Sequence, residues 1–169
     1  LKASETLPGV APYEYESILQ DVRSLRDQVD IVILSLHWGT EYAPAPSAQQ
    51  REHAHGFIDA GADVILGHHP HVVQGVELYN QGLIAYSLGN FVFDQNWSNK
   101  TREGLVMELT FKGSEITGAK LLPVIIRESQ PRFEQDEWAK QVAGKVQQYS
   151  ADLETKCRVK EDPLEIIIY

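Results

Sequence analysis

Residues 63–71, DVILGHHPH, decide the fold of this chain. Val64, Ile65 and Leu66 form an apolar, β-rich run that is short for a helix, and histidines follow at its end. Residues 31–37, IVILSLH, repeat the arrangement with His37 in the closing position. Runs of this kind read as strands buried on both faces of a parallel sheet, and in an open α/β sheet ligands gather beyond the carboxyl ends of such strands. Neutral imidazole is a common metal ligand, and a His-x-His pair on extended backbone sends both rings to one side. His37, His69 and His71 are therefore predicted to converge on a divalent ion, with Pro70 stiffening the pair.

Working outward, SAQQREHAHGFIDAG between the two runs reads as a helix capped by Ser47 and ended by Gly61, after the proline-bearing loop WGTEYAPAP. Strand, helix and strand make one right-handed crossover, so His37 and His69 should leave the sheet at the same edge. His53 and His55 fall on that polar helix. Two residues apart, they point in different directions and are read as a solvated face. Upstream, YESILQDVRSLRDQV is predicted to be helical, with Ile18, Val22, Leu25 and Val29 at helical spacing.

Downstream the pattern turns to β. VVQGVELY, LIAYSL, GLVMELTF and AKLLPVII, separated by turns at NQG and KGSEITG, have hairpin spacing and suit two sheets packed face to face. Residues 134–156 then read as an amphipathic helix carrying Trp138, Val142, Val146, Tyr149 and Leu153 near one stripe. Pro163 should stop whatever precedes EIIIY, which is expected to add an edge strand or simply end the chain. The fold class is thus α/β, a layered sandwich with a carboxyl-terminal helix.

At 169 residues and 43% hydrophobic content, the chain can bury one sizeable core, and a single domain over 1–169 is the expectation. The formal net charge of −9 argues against general binding to nucleic acid or anionic lipid. Cys157 is the only cysteine, which excludes an internal disulfide, and it is expected on the helix-like segment with no catalytic part.

SLHWGTEY, GADVILGHHPHVVQGVE and IAYSLGNFVFD, in that order, resemble the bacterial capsule synthesis proteins of the CapA type, over roughly residues 9 to 127. That family is associated with poly-gamma-glutamate capsules and is related to calcineurin-like metallophosphoesterases. The resemblance implies a metallophosphoesterase-like sandwich, represented here by its carboxyl-terminal portion, with 134–156 as a helical extension. It assigns His37, His69 and His71 as metal ligands. His68 stands where the wider superfamily usually carries glycine, so it is open to three roles: a ligand, a donor behind the ligands, or a substrate contact.

In the signature HWGxEY the glutamate faces the site, making Glu41 and His68 the candidates for moving protons. Trp38 and Asn90 are candidate substrate contacts, with Gly89 and Asn90 also read as a tight turn. The superfamily's Asp-x-His, bridging aspartate and Asn-His pair do not occur upstream of His37. The implied cofactor, a divalent Mn, Zn or Fe ion, is therefore expected to require a missing amino-terminal half. The implied function is a metal-dependent hydrolase in capsule or poly-gamma-glutamate biosynthesis, taking an anionic capsule polymer or a phosphoester. One alternative is a non-catalytic assembly or export subunit that binds polymer or other capsule-assembly proteins. Another is an amide hydrolase acting on polyglutamate. The implied location is the cell envelope or extracellular space, through a membrane anchor outside this chain, while the acidic charge disfavours direct polyglutamate binding.

Overall fold

The crossover read from the two histidine-bearing runs is present. In the computed structural model, which describes residues 3–162 and 164–169, α1 (Tyr15–Arg26) leads through β1 (Ile33–His37) and α2 (Ala48–Asp59) to β2 (Val64–His68). β1 and β2 pair in parallel with His37 opposite His68, so the histidines do emerge at one edge. β3 (Val76–Tyr79) and β4 (Gly82–Ala85) complete a four-stranded sheet in the order β1-β2-β4-β3, β4 parallel to β2 and β3 antiparallel to β4. Ser47 begins α2 as predicted: its hydroxyl accepts from the Gln50 backbone N–H while the Gln50 side chain accepts from the Ser47 N–H. Asp63 ties the start of β2 to its neighbours, accepting from the Val32 N–H and from Arg26 of α1.

Alternation along the strands sorts the side chains into two apolar layers. Leu36, Ile65, Ile84 and Tyr86 pack beneath α1 and α2 with Leu19, Val22, Ala54 and Phe57. Val76, Leu83 and Ala85 point the other way, toward a second sheet. That sheet contains β5 (Glu103–Lys112), β6 (Glu115–Arg127), β7 (Gln130–Arg132), β8 (Cys157–Glu161) and β9 (Leu164–Ile168) in the order β5-β6-β9-β8, with β7 beside β6. α3 (Glu137–Ala151), capped by Asp136, inserts Ala139, Val142, Ala143 and Val146 into the same layer. The result is a layered α/β sandwich, the fold class predicted. Among the described residues no helix is long and apolar enough to cross a membrane.

The carboxyl-terminal stretch departs from expectation. The helix is shorter than 134–156, and Cys157 opens β8 instead of lying on a helix. Leu153 extended the apparent helical stripe because it is buried, but it packs from the turn after α3. EIIIY does form a strand, yet an internal one between β6 and β8, with Leu164, Ile166 and Ile168 all turned into the core. The expected action of Pro163 lies outside the described residues.

Among the described residues, β1 pairs on one side only, and the outer side of β5 is engaged only at its start, where Gly104 bridges Gly89 and the Leu105 N–H donates to the Leu88 carbonyl; the β1 edge and the rest of the β5 edge border one groove of about 500 Å³. Ile33 on β1 is 51% exposed on the face away from the helices. Bare edges of this kind are ready templates for strand addition.

Candidate functional site

The rings of His69 and His71 are aimed by loop conformation and not by the pleat of a strand. His69 has φ +102° and His71 φ +59°, left-handed backbone that L-residues other than glycine adopt at a cost. Such strain persists where surrounding structure fixes it, characteristically at functional positions. Two backbone hydrogen bonds do the fixing: Trp38 N–H donates to the His68 carbonyl at 2.9 Å and Tyr42 N–H to the Pro70 carbonyl at 2.8 Å. They lash the loop after β1 to the loop after β2, and so carry Glu41 to the histidines.

Glu41, His69 and His71 each offer a ligand atom, all within 4.8 Å of one another. Two ligands on one zinc ion stand up to roughly 4.4 Å apart, so a side-chain shift of about 0.5 Å would close the cluster on a single cation. Two imidazole nitrogens and a carboxylate oxygen are a donor set that zinc, manganese and iron accept. The residues present therefore fit one divalent ion. Glu41, expected as an acid or base, thus stands where a charged ligand is wanted, a carboxylate that the three-histidine expectation lacked. His37 lies against His69, its Nε2 3.0 Å from His69 Nδ1.

The remaining predicted residues take different places. Trp38 is only 5% exposed, stacks on Tyr86 and donates its indole N–H to the Tyr86 carbonyl. It is a packing residue beneath the site and not a surface for substrate, because the strand pleat turns it inward from His37. Asn90 is buried too, its amide oxygen 2.9 Å from His71 Nδ1. His68 is half-buried at the groove, whose lining continues through Phe91, Phe93, Met107 and Leu109. Ser87 donates to the Val72 carbonyl, a structural role. His53 and His55 stay outside: His53 bonds Tyr13, and His55 bonds Glu77 and stacks on Tyr79. Sequence reasoning missed Thr101, whose carbonyl anchors Asn90; a separation of eleven positions along the chain hides that contact.

Desolvation, reinforced by neighbouring histidines, holds two imidazoles below the ordinary histidine range: His37 beside His69 and His71, and His68 beside His37. A folded state that binds these protons less readily than the unfolded chain loses stability as pH falls below about 6.5, where the unfolded histidines begin to charge. Thermal melts of the metal-free protein should accordingly show a falling midpoint below that pH. His68→Gln should reduce the slope; an unchanged slope would remove His68 from this account.

The sequence matches the family described as "Bacterial capsule synthesis protein PGA_cap" over residues 1–95. It is 40% identical over 129 residues to the PGA biosynthesis protein CapA of Bacillus subtilis, covering 76% of this chain and 34% of that protein. It is 37% identical over 134 residues to the capsule biosynthesis protein CapA of Bacillus anthracis, covering 77% of this chain and 32% of that one. A probable polyglutamine synthesis accessory protein of Mycobacterium tuberculosis is 38% identical over 65 residues, 38% of this chain and 17% of its own length. The chain thus spans about a third of the length of the first two relatives. The matched region contains both histidine-bearing strands, the loop of Glu41, and Asn90, so the likeness extends over the whole cluster, and the chain belongs to the bacterial capsule synthesis protein family PGA_cap.

Proposed function

We propose that this chain carries the histidine-rich part of a metal-dependent hydrolase site in a protein of capsule or poly-gamma-glutamate biosynthesis at the cell envelope. The observation that carries the reading is the cluster of Glu41, His69 and His71 at the carboxyl ends of parallel strands. A divalent ion held there would supply Lewis-acid chemistry for attack on a phosphoryl or acyl centre. Glu41 offsets the positive charge. His68, kept neutral by its surroundings, is available to accept a proton from a nucleophile. The apolar wall of Phe91, Phe93, Met107 and Leu109 limits water on one side of the reacting group.

The free edge of β1, and that of β5 beyond Gly104, support a second element of the reading: further polypeptide of the full protein, since the matched stretch is only 34% of the Bacillus subtilis relative, pairs with both edges. Such a segment is also the source from which additional oxygen ligands would come. Other capsule-assembly proteins are the partners that the capsule role implies.

The test is turnover by the full-length protein loaded with manganese or zinc, on bis(p-nitrophenyl) phosphate and, separately, on γ-linked glutamate oligomers. Hydrolysis of the phosphodiester, lost on chelation and reduced in His68→Ala, is expected. Cleavage of the oligomer alone would favour the amide hydrolase. Metal uptake with neither activity would replace this reading with a non-catalytic assembly or export subunit.

A further inference from the structure

We infer that Asn90 is a positioning residue that sets the tautomer of His71, protonating Nδ1 and leaving Nε2 as the free ring nitrogen. The Thr101 backbone carbonyl can only accept, and it lies 2.9 Å from Asn90 Nδ2, so the amide nitrogen of Asn90 must face it. Gln95 Oε1, 3.2 Å from the same nitrogen, takes the second amide proton. The amide oxygen is thereby turned toward His71, where it meets Nδ1 at 2.9 Å. An amide oxygen has no proton to give, so His71 must donate from Nδ1. The alternative tautomer would bring two lone pairs face to face at a residue only 7% exposed, across a direct 2.9 Å contact that leaves no room for a bridging group.

The rest of the local structure holds this arrangement rigid. Gly89, with φ +71°, bridges Gly104 and turns the chain so that Asn90 enters beneath the histidine loop. A Cβ on Gly104 would come within 2.0 Å of the Asn90 carbonyl oxygen, so the close passage of β5 excludes any larger residue there. Thr101 is itself anchored, its hydroxyl donating to the carbonyls of Gln95 and Ser98. Sequence alone offered Asn90 as a turn residue or substrate contact; the hydrogen bonds make it the partner behind His71. Residues that orient a metal-bound imidazole in this way tune its affinity. The value of the free Nε2 as a ligand rests on the metal site proposed above, whereas the tautomer itself does not.

The experiment is ¹⁵N nuclear magnetic resonance of the metal-free protein at about pH 8, above the ordinary histidine range. It is done on the wild type, Asn90→Leu and Asn90→Asp, with zinc titrations of all three. The expected wild-type result is a protonated Nδ1 and an unprotonated Nε2 on His71. Leucine should release the ring toward the Nε2-protonated form and weaken zinc binding roughly 10- to 100-fold. Aspartate, which keeps an acceptor but loses the donor to Thr101, should retain the wild-type tautomer, and it serves as the test if the leucine variant does not fold. Wild-type His71 protonated on Nε2, a leucine variant with the tautomer unchanged, or an aspartate variant with the tautomer reversed would each overturn the inference. The expected tautomers without zinc uptake by the wild type would uphold it and instead sink the proposed metal site.

Discussion

His69→Ala is expected to weaken zinc binding by at least about 100-fold, since a lost ligand must cost more than the roughly 10- to 100-fold typical of a lost outer partner. The substitution removes one of three ligand atoms in the cluster and at the same time leaves His37 Nε2 without its neighbour. Alanine at this backbone position carries the same left-handed strain as histidine, so the loop has no new reason to move. His53→Ala serves as the control because that ring is occupied with Tyr13 and Tyr15, outside the cluster. Calorimetric titration of both variants measures the difference. Equal affinities would take His69 out of the site.

Gly67→Ala is expected to destabilise the fold by about 3 kcal/mol, the upper end for overpacking a filled interior. The added Cβ would meet the Tyr86 carbonyl oxygen at 2.0 Å and Trp38 Nε1 at 2.6 Å. The first of these is backbone of the neighbouring chain segment and cannot swing aside. The second is the donor that already uses that carbonyl, so the clash also breaks the Trp38 hydrogen bond. Because His68 and His69 follow directly, the damage should reach the site as well as the core. Chemical denaturation of Gly67→Ala against wild type reads the loss, and a change below about 1 kcal/mol would mean that the strands part easily here.

The crossover was legible because its signals are local. Apolar runs of strand length, the Ser47 cap and the proline loop each act over a few residues, and the register that sets His37 opposite His68 follows from them. The aim of His69 and His71 was not legible. Extended backbone was the natural assumption for HHPH, and nothing in those letters announces positive φ at both histidines. Glu41 reaches them only because Tyr42 bonds the Pro70 carbonyl, a contact between two loops that no spacing rule contains. The family resemblance pointed Glu41 toward the site, and the distances set it beside His69 and His71. At the carboxyl end, Cys157 to Lys160 do alternate in polarity, but over too few residues to outweigh the helical stripe that Leu153 extended, and β9 could be identified as internal only through its partners β6 and β8.

The central claim is that Glu41, His69 and His71 hold one divalent ion, and anomalous diffraction at the zinc edge from zinc-soaked crystals of the protein tests it most directly. The account predicts a single strong peak bonded to the Glu41 carboxylate and to one nitrogen of each histidine, at about 2.0 to 2.2 Å. A peak away from these three residues, or none at a zinc concentration that saturates the titration, would contradict it.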